Sequence, residues 1–249
     1  MSRPAAWPVA TRAQAVMELR LTARRGENLL AIAVIPAVVL VFFASTSLIA
    51  TPGQTPVDFL LPGSLALAVI AAGLVNLGIA TAYERSYGVL KRLGGSPLGR
   101  AGMITAKLAA VGVIVALQAA LLFAVAYVGL GWRPDANLGV VALIVSLALG
   151  TATFATLGLL LAGTLRAEAT LALANGLFIA AMLLGGIIVP TSHLPGSLAT
   201  IAELLPAAAL SEALRVALGG DGDLVRSLAI LTVWGAAAAI ATVRWFRWD

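Results

Sequence analysis

The sequence predicts an all-α integral membrane protein of six transmembrane helices, and three observations carry that prediction. Composition is the first: 61% of the 249 residues are hydrophobic and 11% are charged, where a soluble domain is roughly half apolar and about a quarter charged. Sixteen basic and eleven acidic side chains cannot cover a water-facing exterior of this length, so the apolar excess must face lipid. The second observation is segment length, since a hydrocarbon core of about 30 Å takes about 20 apolar residues in helical rise. The third is the distribution of charge between the apolar segments, which orients them.

Six runs meet the length criterion: Leu29 to Ala50, Phe59 to Ala82, Met103 to Leu130, Leu138 to Ala162, Thr170 to Val189 and Leu224 to Val243. The first is preceded by a basic segment, residues 1–28, carrying Arg3, Arg12, Arg20, Arg24 and Arg25; it lacks the charged, apolar and cleavage-site order of a secretory signal and is expected to be retained. The second span ends in a polar loop over residues 83–102, and the fifth is followed by a long segment over 190–223. If the amino terminus is cytoplasmic, thirteen of the sixteen basic residues fall inside and only Arg133, Arg215 and Arg226 fall outside. This positive-inside bias predicts cytoplasmic termini. The net charge of +5 is explained by juxtamembrane contact with anionic headgroups, not by nucleic acid.

The contents of the spans exclude several function classes. Their centres hold essentially no charge, which argues against a proton-coupled carrier or a channel with a charged filter. Polar groups there are neutral, and Asn76, Gln118 and Asn175, with Phe123 and Phe178, are candidates to line a substrate path; the plainer alternative for the polar ones is interhelical hydrogen bonding. Aromatic residues including Phe42, Phe43, Tyr127 and Phe154 suit core or lipid packing as well as cargo. Small residues at helical spacing, Gly102, Ala106 and Ala110 and again Ala155, Gly158 and Ala162, mark packing faces within one chain or between two. The single histidine, His193, lies in an expected outside loop, so a His-activated intramembrane serine nucleophile has no base. Neither lysine at 91 or 107 follows a glycine, so no phosphate-binding loop exists, and cysteine is absent altogether.

The informative loop runs from Tyr83 to Leu98. Val89, Leu90 and Leu93 recur at three and four residues while Lys91 and Arg92 project elsewhere, and Gly94-Gly95-Ser96-Pro97 ends the pattern, which predicts a short amphipathic helix. Such a helix lies either in the headgroup layer or against a partner. The segment from Pro190 to Asp223 is broken by Pro190, Pro195, Pro206, Gly219, Gly220 and Gly222 into pieces too short to span.

The Glu-Arg-x-x-Gly-x-Leu-Lys-Arg-Leu-x-x-x-Pro pattern from Glu84 to Pro97, at the end of the second of six spans, resembles the permease subunits of ABC type-2 transporters. The basic amphipathic amino-terminal helix, about Thr11 to Glu27 with its apolar stripe interrupted by Arg20 and Arg24, and the segment carrying Leu194-Pro195, Leu204-Leu205-Pro206 and Glu212-Ala213-Leu214-Arg215 resemble that family as well. The resemblance implies one permease domain over residues 1–249 in the cell membrane, as in a bacterial inner membrane. It implies that Glu84, Arg85, Tyr87, Gly88, Leu90, Lys91, Arg92, Leu93 and Pro97 form a coupling helix for a separate cytosolic ATPase in two copies. It implies a second permease subunit, identical or paralogous, and re-entrant half-helices whose Leu194, Pro195, Leu198, Leu204, Leu205 and Pro206 make an outer gate. ATP and magnesium belong to the partner, no cofactor is expected on this chain, and the chain is not itself an enzyme. The expected activity is export of an amphipathic or hydrophobic compound such as a drug, secondary metabolite or lipid. A glycan-exporting permease and an ATPase-independent scaffold or assembly protein remain the alternatives.

Overall fold

The computed structural model describes residues 6–24, 26–46, 55–95, 98–191 and 194–248, and every regular element among them is a helix. The elements are α1 (Trp7–Arg24), α2 (Gly26–Ala44), α3 (Pro56–Ser86), α4 (Val89–Gly94), α5 (Gly99–Gly129), α6 (Val140–Thr164), α7 (Ala167–Leu184), α8 (Gly196–Glu203), α9 (Pro206–Ala217) and α10 (Leu224–Trp245). Lipid gives a backbone N–H no partner, so a chain this apolar must close its hydrogen bonds within each segment.

Five helices, α3, α5, α6, α7 and α10, are long and apolar enough to cross a membrane, and α8 with α9 makes a sixth if that pair, bent by 75°, is counted as one span. The first expected span falls on α2, whose described apolar part is Val34–Ala44; residues 47–50 lie outside the described residues. Beyond α2, span ends differ from the sequence expectation by four residues or more in three places. Helix α3 runs on from Ala82 to Ser86, so the start of the polar loop is a rigid continuation of the span. Helix α5 begins at Gly99 and not Met103. Helix α7 stops at Leu184, short of Val189, because the chain turns at Gly185-Gly186, where Gly186 has φ 64°.

Helix α3 is the axis of the bundle: nearly every side chain from Phe59 to Leu74 is buried, with α2, α5, α6 and α9 packed around it. Between helices in lipid there is no hydrophobic driving force, so association rests on close van der Waals contact, which small residues permit. The Ala155, Gly158 and Ala162 stripe is spent here, inside the chain and against α3. A Cβ on Gly158 would stand 2.4 Å from the Gly73 carbonyl oxygen, and one on Gly73 would stand 2.9 Å from the Ala155 nitrogen. At this crossing α3 widens into a π-helical stretch, Ala71–Leu77. The other stripe, Gly102, Ala106 and Ala110, is buried too, and α1 packs along α5 with the Trp7 ring beside Gly102.

Helix α6 also holds α10. Thr153 Oγ1 donates to the Leu231 carbonyl (3.1 Å), Thr242 Oγ1 to the Thr156 carbonyl (3.3 Å), and the Arg247 N–H to the Gly163 carbonyl (3.0 Å). The last contact brings the carboxy-terminal segment to the same end of the bundle as α4, where Leu90, Leu98 and Met103 form a small core with Ala10, Leu93, Phe246 and Trp248. We call this end the terminal face.

Candidate functional site

The terminal face gathers what the sequence distributes over four segments. Helix α3 ends where Ser86 Oγ donates back to the Tyr83 carbonyl (2.8 Å) and Gly88 takes φ 70°, a left-handed conformation that glycine adopts without strain. The six residues of α4 then leave in a new direction. Leu90 is 0% exposed in the small core and Leu93 is partly buried beside it, so these two anchor α4 from beneath. Tyr87, at 72% exposure, together with Val89, Lys91 and Arg92, faces outward. The expected apolar stripe is therefore divided: its leucines serve the fold, and only Val89 remains on the free side. Pro97 lies outside the described residues.

Beneath α4 sits a charge cluster joining three helices. Lys107 of α5 is 1% exposed, and its Nζ lies 2.7 Å from Glu84 Oε2 of α3 and 3.0 Å from Glu18 Oε1 of α1. Gln14 Nε2 donates to the same Glu18 oxygen (2.8 Å). An ammonium this deeply buried persists only if paired, and two carboxylates pair it. The Gly102-Ala106-Ala110 stripe permits this, because α1 must lie close on α5 for Glu18 to reach Lys107. Arg85, the next residue along, donates to the Leu165 carbonyl at the end of α6, where a cation also meets the negative end of the helix dipole. The root of α4 is thus fixed to α1, α5 and α6 at once.

Sequence reasoning picked Glu84 and Arg85 but not Lys107 or Glu18. Lys107 sits one turn beyond Met103, on the same packed side of α5 as Ala106 and Ala110. A lysine on the packing face of a span must meet a carboxylate, and that was the available signal.

The proposed path residues are spread out. Asn76 is half-buried within the π-helical stretch, Gln118 is buried on α5, and Asn175 is exposed on α7 with its amide donating to Leu171 of its own helix (2.8 Å). Phe123 rests on Trp132, ring centres 5.8 Å apart, and Phe178 packs on the main core.

At the opposite face α8 is largely exposed, including Pro195, Leu198 and Leu204, while Leu194 and Leu205 are half-buried and Pro206 begins a buried α9. Arg215 of α9 is the polar anchor. Its Nη1 donates to Glu212 Oε2 (2.8 Å), its Nη2 to the Gly186 carbonyl (3.1 Å), and its guanidinium lies 4.6 Å from the centre of the Phe59 ring. Arg226 meets Glu203 (3.1 Å), and the Trp234 indole N–H donates to the Leu204 carbonyl (3.0 Å), tying the end of α8 to α10. Arg215→Ala is expected to lower stability by about 2 kcal/mol in detergent unfolding, since it strips a charge-assisted hydrogen bond from Gly186 and the ring contact together. Arg215→Lys should recover only part, because an ammonium lacks the planar fork that serves both partners.

Charges arranged in this way tie the end of α3 to α1, α5 and α6. Among curated proteins none matches the chain. The family model described as ABC-2 type transporter matches residues 12–218, a stretch that takes in the cluster, α4 and α9. Members of that family are membrane transport components that normally work with an ATPase subunit. The chain, a multi-pass membrane protein, belongs to the ABC-2 type transporter family.

Proposed function

We propose that the chain is the permease subunit of an ATP-driven exporter, with the terminal face in the cytoplasm and α4 as the element on which a separate ATPase acts. The observation that supports this most is the construction of α4. It is held from beneath by Leu90 and Leu93, rooted through Glu84 on Lys107, and free on the side bearing Tyr87, Val89, Lys91 and Arg92. A short helix seated on the end of a span passes a push from a cytosolic partner into α3, and α3 contacts most of the bundle. Two copies of the ATPase, each using ATP and magnesium, act on two permeases, this one and an identical or paralogous one. The positive-inside distribution supports cytoplasmic termini, and the membrane is a cell membrane such as a bacterial inner membrane.

The cargo is amphipathic or hydrophobic. Among the described residues the buried cation near a span end, Lys107, is already engaged by two acids, so it offers a charged cargo no free counter-charge within the bundle. Around α8 and its junction with α9, Leu194, Leu198, Leu204 and Leu205 form an apolar barrier at the outer end of the route.

The double variant Lys91→Glu, Arg92→Glu tests the coupling role. Both side chains are exposed, so folding should be unchanged. The ATPase that purifies with the wild-type chain should be reduced at least tenfold, and ATP-dependent efflux should fall with it, at equal membrane abundance. Unchanged ATPase recovery and efflux would remove α4 from the mechanism.

A further inference from the structure

A groove runs along α6 toward the terminal face, bounded first by α7 and α9 and then by α10. It is made of two hollows that share Leu157, Leu160 and Trp234. The first, about 690 Å³ of open space, is lined by apolar side chains and reaches Leu74 of the π-helical stretch and Pro206 at the α8–α9 hinge. The second, about 800 Å³, runs past Ala237 and Ala241 and ends at Arg244 and Trp245. Alanines make the floor of α10 shallow here, while leucines and Trp234 make the walls. From Trp234 to Arg244 is ten residues of helix, a length of about 15 Å. That equals one leaflet's share of a hydrocarbon core of about 30 Å.

We propose that this groove binds an anionic phospholipid from the leaflet at the terminal face. The phosphate sits on Arg244, and one acyl chain runs over Ala241 and Ala237, past Trp234, into the hollow beside Pro206. Arg244 is exposed and forms no ion pair or hydrogen bond among the described residues, so its charge is available. Trp245 beside it has the amphipathic ring that settles at headgroup level, and a cation between helices at that level selects anionic headgroups. A free phosphate has no use for an apolar trough, and leaving the trough empty would forfeit dispersion contacts along its walls.

Charge argues against a second copy of this chain as occupant. A second copy presents the same face at the same depth, where the sequence places thirteen bases against five acids, that is 16 − 3 and 11 − 6 after removing those assigned to the other side. Glu18 and Glu84, two of the five, are already engaged by Lys107. The proposal does not depend on the coupling role of α4.

Quenching of tryptophan by bromine-labelled lipid tests the site on the full-length protein, purified in detergent and stripped of lipid. Mid-chain brominated phosphatidylglycerol should quench in a saturable manner at roughly fivefold lower mole fraction than brominated phosphatidylcholine. Trp234→Phe should remove most of the saturable component. Arg244→Glu should abolish the preference between the two lipids, and Ala241→Phe, which fills the trough, should weaken both. Equal quenching by the two lipids, a saturable component that survives Trp234→Phe, or a preference that survives Arg244→Glu overturns the proposal. So does shielding that grows with protein concentration and excludes the lipid, which would put a second copy in the groove.

Discussion

Lys107→Met should destabilise the protein by about 3 kcal/mol and disconnect α4 from the bundle. Removing one partner of a buried ion pair costs about 3–5 kcal/mol, because the other charge is left without compensation. The low end applies here, since Glu18 and Glu84 keep 13% and 16% exposure and can recruit some water. Thermal unfolding in detergent, followed by tryptophan fluorescence, reads the loss. Glu84→Gln alone should cost less, because Lys107 keeps Glu18. The triple variant Lys107→Met, Glu18→Gln, Glu84→Gln should regain most of the stability, since no buried charge then lacks a partner. It should not regain coupling: the apolar substitute packs but no longer ties α3 to α1. A Lys107→Met protein that melts with the wild type would show that the three charges do not brace the junction.

Gly158→Ala is expected to destabilise the bundle by about 3 kcal/mol. Overpacking a well-filled interior costs about 1–3 kcal/mol when side chains can yield. Here the obstacle is the Gly73 carbonyl, 2.4 Å from the added carbon, with the Leu74 carbonyl at 3.0 Å, and backbone in the middle of α3 has nowhere to go. The crossing must open, and α3 must move relative to α6 at its π-helical stretch. Gly112→Ala is the matched control, since nothing lies within 4 Å of an added carbon there. It should be neutral or stabilising by up to about 1 kcal/mol through helix propensity. Equal melting of the two variants would refute the close packing of α3 on α6.

The comparison of these two glycines illustrates how much of the fold the sequence made legible. Hydropathy located the bundle, because lipid imposes a length on every span, and α3, α5, α6, α7 and α10 stand where long apolar runs predicted helices. Small-residue stripes announced packing faces, but periodicity does not say what packs on them. That Gly158 meets Gly73, or that Gly102 meets α1, depends on tertiary arrangement. Helix ends were less legible. Hydropathy falls at Tyr83 although the helix continues to Ser86, since backbone hydrogen bonding does not stop where side chains become polar. The π-helical stretch around Asn76 carries no sequence mark at all.

For the candidate site, the pattern from Glu84 to Leu93 marks the loop that holds α4, but it treats α4 as one amphipathic surface. The structure divides it, because Leu90 is needed to seat the helix and Lys91 and Arg92 are not. The partners of Glu84 were out of reach by pattern alone, lying 23 residues away at Lys107 and, through it, on another helix at Glu18.

The absence of cysteine gives a direct test of the central claim, that α4 is where an ATPase acts on this permease. Lys91→Cys places a unique thiol on the free side of α4, and Val128→Cys places one on an exposed residue near the opposite end of α5. After crosslinking in intact cells, the protein joined to position 91 is identified by mass spectrometry. The account predicts an ATP-hydrolysing subunit at position 91, absent from position 128, with the adduct lost when Arg92→Glu is added. Crosslinking of position 91 to lipid or to other proteins, with no ATPase among them, would contradict it.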